Sequence, residues 1–442
     1  MQRLNTSNFT KLITLRALPI WVKSLFYLLY AFLVLLLKTP GLFRQPRLWA
    51  EEGPLFYEHF QRGNYDIFTY APQGHLVLLT NFSLYLASLF PIYYAPTATT
   101  FFSFSVLMLM FFLLIFFCHY INVAFFQIIL LISSIIFIPS SLEVFLTSTN
   151  LQWLSCINIT LILLILLHHT NISPIHFVGL FLVFAFGLTG APSLTNLAAY
   201  VIAFLLYPRR NIFLYLLVLL ICFFYQIFII SNNITSLSTR AFSLDIVFFG
   251  DALIVNMILS LFFSTFSIIY INSTIGLFYF LFYFRLVFIS LFTIIFSRFL
   301  YQWSVIVYPK PSALLLLARS HFFNIILIVA IIFALIVNLA GMLPPRDQLY
   351  SGWAGGRYFF SSSVLLLLWL ASLSRHPSKF ARRVSTALLM TSTLSGFLAF
   401  SLADWPGIFT GPPWQSQSAG CERPKPCIIE IWPVGWYVVL SP

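Results

Sequence analysis

Long apolar runs recur from residue 18 to residue 402, and this pattern constrains the fold more than any other feature of the sequence. A helical run of about 18 or more apolar residues can cross the roughly 30 Å hydrocarbon core of a bilayer. Only 8% of the residues are charged, whereas soluble domains have about 25%. Because lipid offers no hydrogen bonds to the backbone, each crossing must be helical. The sequence therefore predicts an all-α polytopic membrane protein.

The apolar runs can be divided into about 13 candidate spans. Several of them are short or adjoin one another, so we expect about 11–13 transmembrane helices. The predicted spans lie at 18–37, 75–93, 98–118, 121–139, 151–168, 174–189, 193–207, 211–230, 244–266, 274–297, 321–340, 359–374 and 384–402.

The basic residues predict how the chain is oriented. The formal net charge is +12, but the basic residues are scattered between apolar runs, which argues against a nucleic-acid-binding surface. Blocks of this kind mark cytoplasmic loops in membrane proteins. The basic N-terminal segment before a long apolar run predicts a retained signal anchor with a cytoplasmic N-terminus. A block at 375–383 predicts a cytoplasmic connection, which puts 341–358 and the tail on the outer face, while the cytoplasmic N-terminus puts the loop 38–72 on that same face. This block contains Arg375, Lys379, Arg382 and Arg383.

Two parts of the chain differ in composition. Residues 1–403 form the expected transmembrane domain, and residues 404–442 form a short tail rich in proline and tryptophan. The tail is expected to end in a strand over Cys427–Ile431. A disulfide between Cys421 and Cys427 depends on whether the tail faces an oxidising compartment.

The first loop, 38–72, combines acidic residues with an apolar stripe. The recurrence of Leu48, Leu55, Phe56 and Phe60 near helical spacing predicts a short amphipathic helix along the membrane surface.

Glu51 and Glu52 are adjacent in this loop, in a chain with only 11 acidic residues. Consecutive helical side chains point about 100° apart, so one carboxylate can face a cavity while the other holds a neighbouring group. Burial beside apolar residues raises the pKa of a carboxylate and suits it to act as a general base. The alternative is a solvated pair matched to Arg44 and Arg47.

Two further sequence elements carry candidate binding residues. The stretch 355–359 places Arg357 at the start of a span, where an arginine can bind a phosphate or simply reach the interface. Near the head of another span, Glu143, Asn150, Gln152 and Trp153 suit a sugar site, or equally a helix cap at the interface.

Other site types leave little trace in the sequence. His75 opens the second span, where a single histidine is more often a cap than a ligand. The sequence contains no Walker loop, dinucleotide glycine fingerprint or zinc ligand spacing, so no metal ligand is predicted.

At these residues the chain resembles a group of uncharacterised bacterial membrane proteins. The stretch Trp49–Gly53 with Phe56 is similar to the signature in the first outer loop of that group. The group is placed with the GT-C-type glycosyltransferases, which include protein O-mannosyltransferases and lipid A aminoarabinose transferases. The resemblance covers about residues 18–440 and departs at Glu52, where aspartate is usual, and around Asn81, where a basic residue is frequent. Similar elements follow in order at 74–76, 150–153, 355–359 and 432–436.

The resemblance implies a GT-C-like fold and a transferase in the bacterial cytoplasmic membrane, with its tail in the periplasm. The donor would be a polyprenyl-phosphate sugar, and the acceptor a cell-envelope glycan or lipid. Glu51 or Glu52 would be the base in an inverting displacement, and Arg357 would neutralise the departing phosphate. No cofactor is certain, and a divalent cation stays open because metal dependence varies in the class. The sugar site would be lined by Trp49, His75, Asn150, Gln152, Trp153 and Tyr358.

Two other functions remain open from the residues. A transporter or flippase of lipid-linked saccharides would need matched repeats or charges within spans, and Arg285 is the clear mid-run charge. A polysaccharide polymerase would differ only in giving a ladder of products.

Overall fold

The computed structural model describes most of the membrane domain and the tail. The described residues are 19–139, 141–168, 174–233, 253–263, 322–340, 356–374, 378–402, 413–421, 426–433 and 435–440. Three features of the predicted topology lie outside the described residues. They are the span 274–297, Arg375 and the basic segment before residue 19.

The described chain is mostly helical, with one β-hairpin near its end. The first loop also contains a 3₁₀ turn at Ala50–Glu52 and a π turn at Gly53–Tyr57, and a further π turn lies at Ile254–Leu259. The helices and strands are α1 Ile20–Lys38, α2 Pro40–Arg44, α3 Glu58–Gln61, α4 Leu78–Ser88, α5 Ala95–Tyr120, α6 Phe125–Ile136, α7 Ser141–Val144, α8 Leu151–Leu166, α9 Pro174–Gly187, α10 Ala191–Leu194, α11 Asn196–Leu206, α12 Arg210–Asn232, α13 Phe322–Ala340, α14 Arg357–Leu373, α15 Lys379–Leu402, α16 Trp414–Ser418, β1 Cys427–Ile431 and β2 Trp436–Leu440.

Helix length supports the predicted class of protein. Within the described ranges, four helices are long and apolar enough to cross a membrane, and several shorter apolar helices accompany them. The architecture is therefore compatible with an all-α, multi-pass membrane protein. The four long helices are Ile20–Lys38, Ile92–Tyr120, Arg210–Asn232 and Lys379–Ser401.

Two predicted spans are shorter or divided in the structure. The span 75–93 is helical as α4 only from Leu78 to Ser88, because the backbone before it pairs with the chain after α9. There Gly190 N–H donates to Leu76 O at 2.9 Å, and Leu78 N–H donates to Leu188 O at 3.0 Å. The span 193–207 is divided at Thr195 between α10 and α11.

Helix α8 lies at the centre of the bundle. Nearly all its side chains are buried, and it packs against α5, α9, α10 and α14. Helix α14 also packs against α13 and α15. The first residue of α14, Arg357, and the residue before α8, Asn150, lie at the end of the bundle where the first loop contacts it.

The first loop is helical from Ala50 to Gln61, as the sequence predicts, through a 3₁₀ turn, a π turn and α3 in succession. Its apolar residues Leu48, Phe56 and Phe60 are buried in a cluster with α4 and the tail hairpin. The stripe that was expected to lie along the membrane surface is therefore covered by the tail.

The tail forms a small sheet, and the predicted strand β1 is confirmed. It pairs antiparallel with β2, with Cys427 opposite Leu440 and Ile431 opposite Trp436. The structure also contains the Cys421–Cys427 disulfide that the sequence left open.

Candidate functional site

The Glu52 carboxylate is buried and fully engaged, with 1% of the residue exposed. One oxygen, Oε2, accepts a hydrogen bond from Trp49 N–H at 2.7 Å. The other, Oε1, accepts from Ser148 Oγ at 2.7 Å, from Thr149 N–H at 3.3 Å and from Ser148 N–H. Glu52 therefore ties the first loop to the turn that precedes α8.

Burial controls the protonation of Glu52. Loss of hydration raises the pKa of its carboxyl from 4.5 to about 7, although the hydrogen bonds from Ser148, Trp49 and Thr149 act in the opposite direction. Desolvation penalises the charged form, whereas donors stabilise it, and here desolvation is the larger effect.

Glu51 is held differently. It is half-buried, and its Oε2 atom is buried, yet none of the described residues forms a hydrogen bond with that atom. Its charge interacts with those of Glu143 and Arg357. We call Glu51, Glu143 and Arg357 the acid–arginine cluster. A buried carboxylate oxygen without a partner is uncommon in a folded protein, and it marks a place where a ligand group can bind.

Glu143 belongs to this cluster from a different part of the chain. It lies on the short helix α7 and is half-buried. Burial raises the pKa of its carboxyl, the positive charge of Arg357 lowers it, and the negative charge of Glu51 raises it further. Desolvation is the largest of these effects, so the net shift in the pKa of Glu143 is upward.

Arg357 is supported by an aromatic wall. Its guanidinium lies 5.5 Å from the centroid of the Tyr358 ring, and Tyr358 packs edge-on against Trp153 at 5.3 Å. The Tyr358 side chain also forms a hydrogen bond with Arg357, and the guanidinium has further N–H donors with which it can bind an anion. The predicted residues Arg357, Tyr358 and Trp153 are thus neighbours.

Asn150 connects this wall to Glu143. Its amide nitrogen donates to Glu143 O and, at 2.9 Å, to Thr147 Oγ1. Its amide oxygen accepts from Trp153 Nε1 at 3.1 Å. Both ends of the amide thus hold the segment between α7 and α8, and a direct contact with sugar stays a prediction.

The other predicted site residues have their described contacts away from the acid–arginine cluster. Gln152 packs against Gly190, where an added Cβ would lie 2.5 Å from Gln152 Oε1. Trp49 stacks on Trp432 with ring centroids 6.0 Å apart. His75 is buried beside Leu76, whose N–H and C=O bond to the Gln226 side chain.

Sequence analysis missed Lys38 as a residue of this region. It ends α1 with 4% exposed, and its ammonium donates to Ser141 Oγ at 2.6 Å and to Ile136 O. It also lies within 6 Å of the Phe137, Phe145 and Phe400 ring centroids. Lys38 thereby fixes the start of α7, which carries Glu143. A lysine at the end of an apolar run looks the same in sequence whether it reaches water or turns inward.

The described residues offer limited ligands for a metal ion. Among them, no three His, Cys, Asp or Glu side chains are grouped closely enough to hold one. A divalent cation therefore stays a prediction. What the cluster does offer is a carboxylate oxygen that can accept a proton and a cation that can bind an anion.

Comparison with known proteins gives no relative: no family model, curated protein or solved structure matches the chain. What points to a function is therefore the geometry of the acid–arginine cluster together with the motif resemblance.

Proposed function

We propose that this protein is an integral membrane glycosyltransferase that moves a sugar from a polyprenyl-phosphate donor to a cell-envelope glycan or lipid. One observation carries the proposal. The buried Oε2 atom of Glu51 is without a hydrogen-bond partner among the described residues, and Glu51 interacts electrostatically with Arg357. A proton acceptor next to a fixed cation is what a single displacement at an anionic leaving group requires.

Glu51 is the base in this proposal. Its Oε2 takes the proton from the acceptor hydroxyl while the hydroxyl oxygen bonds to the anomeric carbon of the sugar. The bond from that carbon to the phosphate oxygen breaks, and the configuration inverts. Glu52 is less suited to this role, because its oxygens already accept bonds from Trp49, Ser148 and Thr149.

Arg357 receives the leaving group. The polyprenyl phosphate departs with its negative charge, and a guanidinium can bind two phosphate oxygens at once. Arg357 is the first residue of helix α14, so in this proposal the phosphate binds at the helix end where the first loop contacts the bundle. The outer face of the cytoplasmic membrane is the expected location.

The test is a transfer assay with purified protein in liposomes. A radiolabelled polyprenyl-phosphate sugar is supplied with an envelope lipid extract as acceptor, and the products are analysed by mass. We expect a product one sugar heavier than its acceptor and release of polyprenyl phosphate. Movement of the intact donor across the bilayer without a new product would support a flippase instead. A ladder of products would support a polymerase.

A further inference from the structure

The tail contacts the backbone immediately before the acid pair. Trp432 O accepts a hydrogen bond from Ala50 N–H, and Trp432 N–H donates to Leu48 O at 3.2 Å. These bonds form a parallel bridge between Trp49 and Trp432. Ala50 has a φ of 39°, a left-handed conformation that non-glycine residues adopt only where the surroundings hold it. The bonds to Trp432 hold Ala50 in the conformation that precedes Glu51.

Side chains reinforce this contact. The Trp49 and Trp432 rings are stacked at an interplanar angle of 13°. Gly53 lies so close to β1 that an added Cβ would be 2.5 Å from Ile431 Cδ1. Further along the loop, Glu58 Oε1 accepts from Val439 N–H at 2.6 Å. The loop is thus fixed to the hairpin both before and after the two glutamates.

The tail is itself closed by covalent and polar links. The Cys421–Cys427 disulfide joins the segment after α16 to the start of β1. Gln417 Oε1 accepts from Glu430 N–H at 2.9 Å, and Trp414 Nε1 donates to Ile92 O at 2.8 Å. A disulfide reduces the number of conformations that are open to the unfolded chain. Here it limits the freedom of the hairpin that carries Trp432.

We propose that Trp432, presented by the disulfide-closed tail, is a positioning residue for the Glu51–Glu52 loop, and that reduction of the Cys421–Cys427 disulfide loosens this loop. The effect on catalysis rests on the proposed function, whereas the effect on the loop does not. The loop is then held more firmly in an oxidising compartment than in a reducing one.

Reduction of the Cys421–Cys427 disulfide proceeds by thiol–disulfide exchange. A dithiol reductant attacks the Cys421–Cys427 bond, gives up two electrons and two protons, and becomes a disulfide while both cysteines become thiols. The other cysteines, Cys118, Cys156 and Cys222, are buried free thiols. The reductant therefore has a single target.

The experiment measures hydrogen exchange and transfer on the full-length protein in liposomes. Exchange is followed in peptides covering residues 48–58, with and without dithiothreitol. Trp432→Ala is compared with Trp432→Phe, which keeps an aromatic ring, and with Trp436→Ala. Trp436 is a matched control, since it lies in the same hairpin and is 38% exposed. Loss of a stacked aromatic pair is expected to speed local opening by about three- to tenfold.

The expected result is faster exchange and slower transfer in Trp432→Ala and in the reduced protein. Trp432→Phe should keep most of the native protection from exchange and most of the native transfer rate. Trp436→Ala should match the native protein in both measurements. Unchanged exchange in residues 48–58 after Trp432→Ala and after reduction would overturn the proposal. Faster exchange with normal transfer would overturn the positioning role. If the native protein transfers no sugar, the proposed function fails, and the exchange data alone decide whether the tail holds the loop.

Discussion

Glu51 and Glu52 are adjacent, but their carboxylates have different surroundings. Glu52 accepts hydrogen bonds from both the first loop and the turn before α8, 96 residues away in the chain. Glu51 has a buried oxygen that no described residue bonds. The physical consequence is a division of roles, in which Glu52 shapes the loop and Glu51 is available for chemistry.

The raised pKa of Glu52 makes a pH-dependent contribution to stability. At pH values between the ordinary pKa of 4.5 and the raised pKa of about 7, the folded protein keeps a proton on this carboxyl that the unfolded chain has released. The contribution is therefore greatest below the unfolded pKa and is lost as the pH rises through the folded pKa. The difference corresponds to about 3 kcal/mol in the free energy of unfolding.

Glu52→Gln is expected to be less stable than the native protein, because its NH₂ group faces backbone N–H donors. Its stability no longer depends on this ionisation, so the gap in melting temperature should narrow between about pH 5 and about pH 8. Thermal unfolding of both proteins in detergent measures the gap. A gap in melting temperature that widens as the pH rises would contradict a raised pKa for Glu52 in the folded protein.

The sequence made the acid pair a candidate site but did not predict which of the two carboxylates has an oxygen without a hydrogen-bond partner among the described residues. That depends on Ser148 and Thr149, which are distant in sequence and reach Glu52 only through the packing of α8. Arg357, Tyr358 and Trp153 were each predicted from local motifs, and the structure makes them neighbours. Lys38 was missed because nothing in its local sequence shows that three phenylalanine rings surround it.

Among the elements, close contact between α6 and α15 depends on one glycine. Gly396 lies against the carbonyl group of Phe137, the residue that follows α6, and leaves no room for a Cβ. Gly396→Ala is expected to push α15 away and to lower the free energy of unfolding by about 1–3 kcal/mol. The control is Gly420→Ala, where a Cβ would be 3.6 Å from Gln417 O. Equal unfolding midpoints in denaturant for both variants would refute this packing.

Strand β1 was predictable and β2 was not. The alternation in Cys427–Ile431 is typical of a strand with one buried face, and the burial of Ile429 and Ile431 agrees. The run Trp436–Leu440 lacks such alternation and shows its buried face only when paired with β1. The apolar stripe of the first loop was misread for a related reason, because a stripe covered by the tail has the same pattern as one covered by lipid.

At the scale of the whole molecule, the acid–arginine cluster and the tail are on the same side of the bundle, since the tail is bonded to the first loop. The predicted orientation puts this side on the outer, periplasmic face of the cytoplasmic membrane and the exposed basic residues at the start of α15 on the cytoplasmic face.

Single introduced cysteines can test this orientation in intact cells. Asp66→Cys in the first loop should react with a membrane-impermeant maleimide, whereas Arg383→Cys should react only after the membrane is permeabilised. Both positions are exposed in the structure, so a failure to react reports the side of the membrane and not burial. Reaction of Arg383→Cys alone in intact cells would reverse the orientation.

The central claim is that Glu51 is the base for sugar transfer, and Glu51→Gln tests it most directly. The change keeps the size of the side chain and removes its ability to take a proton. The matched control is Asp66→Asn, which removes a carboxylate from the same loop where it pairs with His59 at 2.6 Å. Both proteins should have native melting temperatures, and the rate of transfer is measured under single-turnover conditions with saturating donor. We predict that Glu51→Gln lowers this rate by about 100-fold or more, while Asp66→Asn leaves it unchanged. A Glu51→Gln protein that keeps more than about a tenth of the native rate would contradict the account.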